Sequence, residues 1–474
     1  MNFFDHKKFY LVGIKGVAMA SLAQMLVDAG KEVRGSDVAE NFVTETVLSE
    51  LHIQIDEQFD PAFIEQTECV VYTAAHQGKF NAQVAAAVSK NIPVFSHAEA
   101  LGYFFNQQKG VAVCGVGGKS TVSAMITWIL EKSGHSPSFS VGVGGIVGMK
   151  RTGLWNPQSQ FFIAEADEYV TDPAAVAQGE KAIPRFSYLK PFITVCTHIK
   201  YDHPDVYASE QDTVNAYQQF FSQISSDGVL ILNEIDLPKQ LSTTAATTYT
   251  FGTSSTATLR YTYLAEASMA GVTMGNFWYQ NQEYVMQLSV PGEYNLENSA
   301  AATLACLAMG IPVETSIAAL ATFSSTIRRF EYKGEINGVK YYDDYGHHPS
   351  ELAAVITAAY AWYSPDKLVI AFQPHTYSRT KHLFTEFVAA LAKSKQLVLL
   401  DIFASAREAF DPSVSSQQLA EAVVQQNPSC NLTHLATVKD LAQYCKTQLH
   451  QGDVLLTMGA GDIYHVHELL SKAS

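Results

Sequence analysis

The sequence predicts an α/β protein of three domains, and three observations carry that prediction. A chain of 474 residues exceeds what a single hydrophobic core organises. Short β-branched runs alternate with amphipathic segments over the first hundred or so residues and again from about 325, as in parallel sheets covered by helices. Between these regions a strand runs into Gly115-Val116-Gly117-Gly118 and then Lys119-Ser120-Thr121, where a helix begins. The expected boundaries are 1–107, 108–324 and 325–474.

In the first domain KFYLVGI reads as a strand, VAMASLAQMLVDAG as a helix, and EVRGSD, CVVYTAA and IPVFS as further strands. The second domain opens at GVAVCGVGGKS, contains the strands QFFIAEAD and FITVCTHI, and closes with helices in NSAAATLACLAMG and VETSIAALATF. Its middle, about 240–292, is rich in Thr, Tyr and Ser with alternating patterning, which predicts an antiparallel β insertion. The third domain reads KYYDDY, a helix from Pro349, KLVIAFQ, a helix through HLFTEFVAALAKS, QLVLLDIF, another helix and DVLLTMGAGD, a second doubly wound unit. No internal repeat at a fixed period interrupts this order.

A hydrophobic content of 47% with 16% charged residues describes a folded, core-rich chain, and a net charge of −15 argues against nucleic acid or an anionic membrane as partner. No apolar stretch reaches the eighteen or so residues of a membrane span, and MNFFDHKKFYLVGI lacks the apolar core of a signal peptide. Six scattered cysteines without a C-x-x-C read as reduced thiols, so a cytoplasmic protein, monomer or homodimer, is expected.

The glycine-rich turn carries the clearest chemistry. Glycines admit phosphate oxygens to backbone N–H groups, Lys119 neutralises terminal phosphates, and the hydroxyl of Ser120 or Thr121 can ligate Mg²⁺ at a positive helix N-terminus. Val113 stands where the common G-x-x-x-x-G-K-[ST] pattern has its first glycine, which leaves the cradle itself intact. ATP and Mg²⁺ are therefore the expected cofactors. Glu165, Asp167 and Glu168 after one strand, and Asp202 and His203 after another, offer hard oxygen ligands and an imidazole, although each group alone also fits a solvated strand end. Arg328 and Arg329 are either a solvated face or a phosphate clamp. Asn298 in PGEYNLENSAAA would serve equally as a helix cap. The dense DDYGHHPSE is a minority candidate for zinc, and the N-terminal βαβ pattern could hold NAD, another nucleotide or nothing.

Taken in chain order, these stretches resemble the motifs of the Mur ligase family: the glycine-rich N-terminal loop, G-V-G-G-K-S-T, E-A-D-E, D-H, P-G-x-x-N-x-x-N, R-R-F, D-D-Y-G-H-H-P and F-Q-P-H-x-Y-S-R-T. The resemblance implies a Rossmann-like UDP-binding first domain, with Gly13 and Gly16 at the pyrophosphate, Asp37 near the ribose and Thr73 on a second wall. It implies that Gly115, Gly117, Gly118, Lys119, Ser120 and Thr121 hold ATP together with Asn295, Asn298, Arg328, Arg329 and Asp344. Metal ligation falls by the same resemblance to Ser120, Thr121, Glu165 and His203, with Glu168 nearby at the substrate. His347, His348, His375, Tyr377 and Arg379 are carried over as substrate-binding residues.

The implied reaction phosphorylates the lactyl carboxylate of UDP-N-acetylmuramate and lets the amine of L-alanine attack the acyl phosphate, with Lys119, Glu165, His203, His348, His375 and Arg379 as catalytic groups. The amine needs a base, and His347, His348 and His375 are all open to that role. EADEY and KAIPRFSYLKP are closer to ligases that take a murein tripeptide, whereas FQPHTYSRT favours alanine. Val116, Gly117, Tyr294 and Thr376 depart from family usage and motivate an inactive nucleotide-binding relative as an alternative; His198 stands where an Asn is usual, and Lys381 could compensate for the arginine missing at Thr376. An NAD-dependent oxidoreductase is the other alternative, and Lys119-Ser120 argues against it. VTDPAAVAQGEKAIPRFS reads as an insert at the substrate mouth or at an oligomer contact.

Overall fold

The computed structural model describes residues 3–40, 42–201, 203, 206–239, 241–269, 271–404 and 410–471, and its strands form three sheets. In the first, β1 (Lys8–Val12), β2 (Glu32–Ser36), β3 (Gln54–Asp56), β4 (Cys69–Tyr72) and β5 (Val94–Ser96) pair in the order β3-β2-β1-β4-β5, all parallel. β1 and β4 are buried almost throughout, as parallel strands covered on both faces must be.

The second sheet comprises β6 (Lys109–Cys114), β7 (Ser138–Ser140), β8 (Gly153–Leu154), β9 (Phe161–Glu165), β10 (Ile193–Cys196), β11 (Val229–Asn233), β12 (Thr247–Gly252), β13 (Leu259–Tyr263), β14 (Thr273–Tyr279) and β15 (Gln282–Leu288). Their order is β15-β14-β13-β12-β11-β10-β6-β9-β7-β8. The expectation for 240–292 needs correcting: β12 runs parallel to β11, and β13 parallel to β12, so this stretch first extends the parallel sheet. Alternating patterning marks a half-buried strand but not its direction, which the connections decide. From β13 on the strands turn antiparallel: Leu264 N–H donates to the Met274 carbonyl (3.0 Å) across the turn from β13 to β14, and β14 and β15 are joined through Gln280 and Asn281, both at positive φ as a two-residue type I′ turn requires.

In the third sheet β16 (Glu331–Ile336) is antiparallel to β17 (Val339–Asp344), and β18 (Leu368–Phe372), β19 (Gln396–Leu400), β20 (Asn431–Leu435) and β21 (Val454–Met458) complete a parallel array in the order β16-β17-β21-β18-β19-β20. Alternate residues of β18 divide between two cores. Leu368, Ile370 and Phe372 pack with Leu352 and Ile356 of the helix Pro349–Trp362, while Val369 and Ala371 pack with Leu441 and Cys445 of the helix Val438–Gln448. Helices thus cover both faces, which makes this unit doubly wound.

The chain groups into two compact units, Met1–Thr262 with Gly275–Met286 and Leu296–Phe323, and Tyr263–Met274 with Gln287–Asn295 and Ser324–Ser474. All six cysteines are buried free thiols. No helix among the described residues is long and apolar enough to cross a membrane.

One buried histidine of the second unit makes its stability depend on pH. Thr457 Oγ1 donates its proton to Asp343 Oδ1 (2.7 Å), so the His467 Nε2–H donates to Thr457 (2.9 Å). Burial, aided by Lys333, holds the His467 imidazole down to about 3. The native state therefore prefers neutral His467: its contribution is complete above the unfolded pKa of about 6.5 and is lost as pH falls from there towards 3, at a slope of up to about 1.4 kcal/mol per pH unit. Urea unfolding of His467→Gln between pH 7 and 4 is expected to lose this slope; an unchanged pH dependence contradicts the assignment.

Candidate active site

The carboxyl ends of adjacent parallel strands are where open α/β sheets gather ligand-facing groups. In the second sheet β6 lies between β10 and β9, so three strand ends meet: Cys114 with the glycine turn, Thr197 and His198, and Glu165 with the acidic run. Gly115, Gly117 and Gly118 sit at φ +114°, +83° and +81°, a path that side chains oppose. A Cβ on Gly115 would fall 2.4 Å from Thr197 Oγ1, and one on Gly118 2.5 Å from Asn298 Oδ1, which places Asn298 against the turn. Val116 N–H donates to the His198 carbonyl (2.8 Å) and Thr197 Oγ1 donates to the Gly117 carbonyl (2.6 Å), holding the turn from the β10 side.

The helix Lys119–Lys132 starts directly after this turn. Lys119 Nζ donates to both oxygens of Glu168 (2.9 and 3.1 Å) and lies 3.9 Å from Asp167. Burial pulls the ammonium down, but Glu168 and Asp167 outweigh it and hold Lys119 above the usual lysine pKa. Ser120 Oγ donates to Glu165 Oε2 (3.0 Å), and Gly142 N–H to Glu165 Oε1 (2.6 Å), while burial pushes the Glu165 carboxyl up. Thr121 follows on the first turn of the same helix. Asp167 is shifted the other way: against burial, Arg185 at 2.6 Å and Lys119 hold its carboxyl below the usual range.

Donor atoms of Asp167, Glu168 and His203 lie within 4.8 Å of one another. Hard carboxylate oxygens with one imidazole fit a magnesium ion. The cluster shares His203 with the set expected from the sequence, and Ser120 and Glu165 of that set are hydrogen-bonded to each other (3.0 Å). Asp202 lies outside the described residues. Arg185 and Thr197 were not foreseen: Arg185 is 17 positions beyond the acidic run, and a threonine ending a strand carries no signal of its own.

In the first sheet the ends of β2, β1 and β4 bring Asp37, Gly13 and Thr73 together. Gly13, at φ +83°, has Thr73 Cγ2 2.3 Å from where a Cβ would stand, and Gly16 N–H closes the turn onto the Gly13 carbonyl (3.3 Å). Asp37 is buried, accepts from Lys15 N–H (2.8 Å) and Val38 N–H (2.9 Å), and has His76 Nε2 at 3.2 Å.

In the third sheet the ends of β17, β21 and β18 present Asp343-Asp344, Gly459 and Gln373. Asp344 accepts Phe330 N–H (2.8 Å) and Gly346 N–H (2.7 Å), and burial pushes its carboxyl up to about 6. The two arginines part company. Arg328 is buried, donates to Asp343 Oδ2 (2.8 Å) and to the Gly459 carbonyl (2.6 Å), and lies on the rings of Tyr345 and Tyr464; Arg329 has an exposed guanidinium 3.6 Å from Glu351. Asn295 is buried and donates to the Pro291 carbonyl (2.7 Å). Tyr377 meets Phe410 edge-on, and Lys381 pairs with Asp411 at 3.0 Å.

Hydrogen bonds distinguish the three histidines. Arg379 can only donate, so His375 Nδ1 accepts from its Nη1 (3.2 Å); His348 Nδ1 accepts the Ser350 N–H (3.3 Å) as a helix cap. A carbonyl can only accept, so His347 Nδ1–H donates to Tyr345 O (3.2 Å), which leaves the lone pair on Nε2. Burial, with Arg379 nearby, holds the His347 imidazole below its ordinary pKa and therefore neutral at pH 7.

The sheets and strand ends are those of a multidomain α/β nucleotide-dependent enzyme class, and family models match along the chain: the Mur ligase family catalytic domain over 8–109, the Mur ligase middle domain over 113–306, and the Mur ligase glutamate ligase domain over 328–461. The chain belongs to the Mur ligase family. It is 33% identical over 464 residues to a UDP-N-acetylmuramate–L-alanine ligase of Desulfitobacterium hafniense, covering 97% of this chain and 98% of that one. Its fold is similar to that of the UDP-N-acetylmuramate–alanine ligase of Thermotoga maritima (TM-score 0.79, 20% identity, 99% of each chain). It is also similar in fold to a murein peptide ligase of Psychrobacter arcticus (TM-score 0.66, 20% identity, 98% of each chain).

Proposed function

We propose that this chain is an ATP-dependent ligase that joins L-alanine to the lactyl carboxylate of UDP-N-acetylmuramate, a step in making peptidoglycan precursors. In this reading 1–107 takes the UDP end, 108–324 takes ATP, and 325–474 takes the amino acid. The observation that carries it is the convergence of three strand ends on Lys119, which sits charged between the glycine turn and the Asp167–Glu168–His203 cluster.

A magnesium ion, when bound, neutralises charge on the phosphoryl group in transfer, and Asp167, Glu168 and His203 are the residues that would hold it. Lys119 supplies a fixed positive charge at a helix N-terminus, where the terminal phosphates of ATP bind the turn's N–H groups. Arg329, the exposed arginine of the pair, is the one available to a phosphate. His347 Nε2 takes the proton from the incoming ammonium, while Arg379 and His375 orient the acceptor.

The test is phosphate release from Mg·ATP with UDP-N-acetylmuramate and, in turn, L-alanine, glycine, L-serine or a murein tripeptide. Release that requires both the sugar nucleotide and L-alanine is the expected result. Release with tripeptide alone would move the assignment to a peptide ligase, and no release with any acceptor would contradict catalysis.

A further inference from the structure

Between the acidic cluster and the turn Arg185–Tyr188 the chain makes an excursion that the chemistry above does not use. A bridge between Val170 and Pro184 closes its base, with Thr171 N–H and Oγ1 both donating to the Ile183 carbonyl (2.8 and 2.9 Å). Beyond that base the buried Asp172 caps the short helix Pro173–Ala177. Two backbone N–H groups from different parts of the chain meet Asp172, and the Tyr72 hydroxyl at the end of β4 bonds it as well. Asp172 Oδ1 accepts Ala175 N–H (3.0 Å), and its Oδ2 accepts Lys79 N–H (2.8 Å) from the loop that follows β4. Farther along, Glu180 pairs with the Lys79 ammonium.

That loop is in a conformation it would not hold unaided. His76, Gln77 and Gly78 lie consecutively at φ +54°, +69° and +52°, and for the two that carry side chains the left-handed region costs roughly 1–2 kcal/mol each. Gly78 leaves room for the cap: a Cβ there would stand 2.6 Å from Asp172 Oδ1. On the loop's other side His76 Nε2 reaches Asp37 Oδ1 at 3.2 Å, and the His76 ring edge lies 3.4 Å from the Cβ position of Gly13. The Asn81 side chain donates to the His76 carbonyl (3.2 Å), closing the turn. A carboxylate from one part of the unit thus holds, in a strained shape, the loop that covers Gly13 and Asp37.

We propose that Asp172 is a positioning residue for the sugar nucleotide: it holds residues 76–81 in the left-handed turn that sets His76 on Asp37. The inference rests on the reading of 1–107 as the UDP-binding domain. Removing the acceptor releases the strained turn, so the loop must be reordered each time the nucleotide binds, and affinity falls by the worth of about one charged hydrogen bond.

Calorimetric titration of UDP-N-acetylmuramate into the whole chain, with steady-state kinetics, tests this. The wild type is expected to bind. Asp172→Ala is expected to raise Kd and KM for the sugar nucleotide about tenfold, with KM for ATP and kcat at saturating sugar nucleotide within about twofold of wild type. Asp172→Asn, which keeps one acceptor oxygen, should lose less. Gly78→Ala perturbs the same contact from the opposite side and should weaken the same ligand. Unchanged sugar-nucleotide affinity in a folded Asp172→Ala overturns the proposal alone, as does a parallel rise in both KM values with a fall in kcat, the mark of general loosening. A wild type that does not bind UDP-N-acetylmuramate overturns the functional reading along with it.

Discussion

Lys119→Met is expected to lower kcat for phosphate release by about 10³-fold while the chain remains folded, the scale on which preorganised charge at a transferring phosphoryl group acts. Lys119 Nζ is held between Glu168 and Asp167, whose field more than offsets the burial that would discharge it. In the proposed function a phosphate would meet an ammonium already charged, at the start of a helix whose N–H groups face its N-terminus. Methionine keeps the length and removes the charge, leaving Glu168 without its cation. Circular dichroism and the melting temperature separate the two consequences. Loss of rate in a folded protein supports the assignment, whereas a rate within tenfold of wild type, or a loss matched by an unfolded fraction, counts against it.

Arg328→Ala is expected to destabilise the second unit by about 3–5 kcal/mol, because it strands the Asp343 carboxylate in the interior. Arg328 also donates to the Gly459 carbonyl at the end of β21 and is sandwiched by two tyrosine rings, so its removal unties β17 from the turn after β21. Arg329→Ala, whose partner Glu351 is part-exposed, should change stability by less than about 1 kcal/mol and act instead on the nucleotide. Urea unfolding of both variants decides between them. An Arg328→Ala protein as stable as wild type, with a raised KM for ATP, would give Arg328 the phosphate role instead.

Adjacent arginines illustrate where sequence reasoning stops. Arg328 and Arg329 look alike in TIRRFEYKG, and which one turns inward depends on Asp343 and Gly459, 15 and 131 positions away. The glycine turn was legible because its geometry is local: three positive φ values need three glycines, and all are in the sequence. The acidic run was legible as a group but not in its division of labour. Glu165 meets Ser120 and the Gly142 amide, Glu168 meets Lys119 and Asp167 meets Arg185, partners that only the neighbouring elements reveal.

Polarity hid other elements. NLTHL forms the edge strand β20 with its residues only partly covered, so it lacks the apolar run that marked β18 and β19. The direction of β12 and β13 was not readable from alternation. Which ring nitrogen of His347 faces a carbonyl is likewise a fact of the folded chain.

If the lactyl carboxylate is phosphorylated before the amine attacks, one of its oxygens leaves with the phosphate. UDP-N-acetylmuramate labelled with ¹⁸O in that carboxylate is incubated with Mg·ATP, L-alanine and the enzyme, and the released phosphate is weighed by mass spectrometry. One labelled oxygen per phosphate, in step with UDP-N-acetylmuramoyl-L-alanine formed, is the predicted result. Unlabelled phosphate released alongside product would contradict an acyl phosphate and the account built on it.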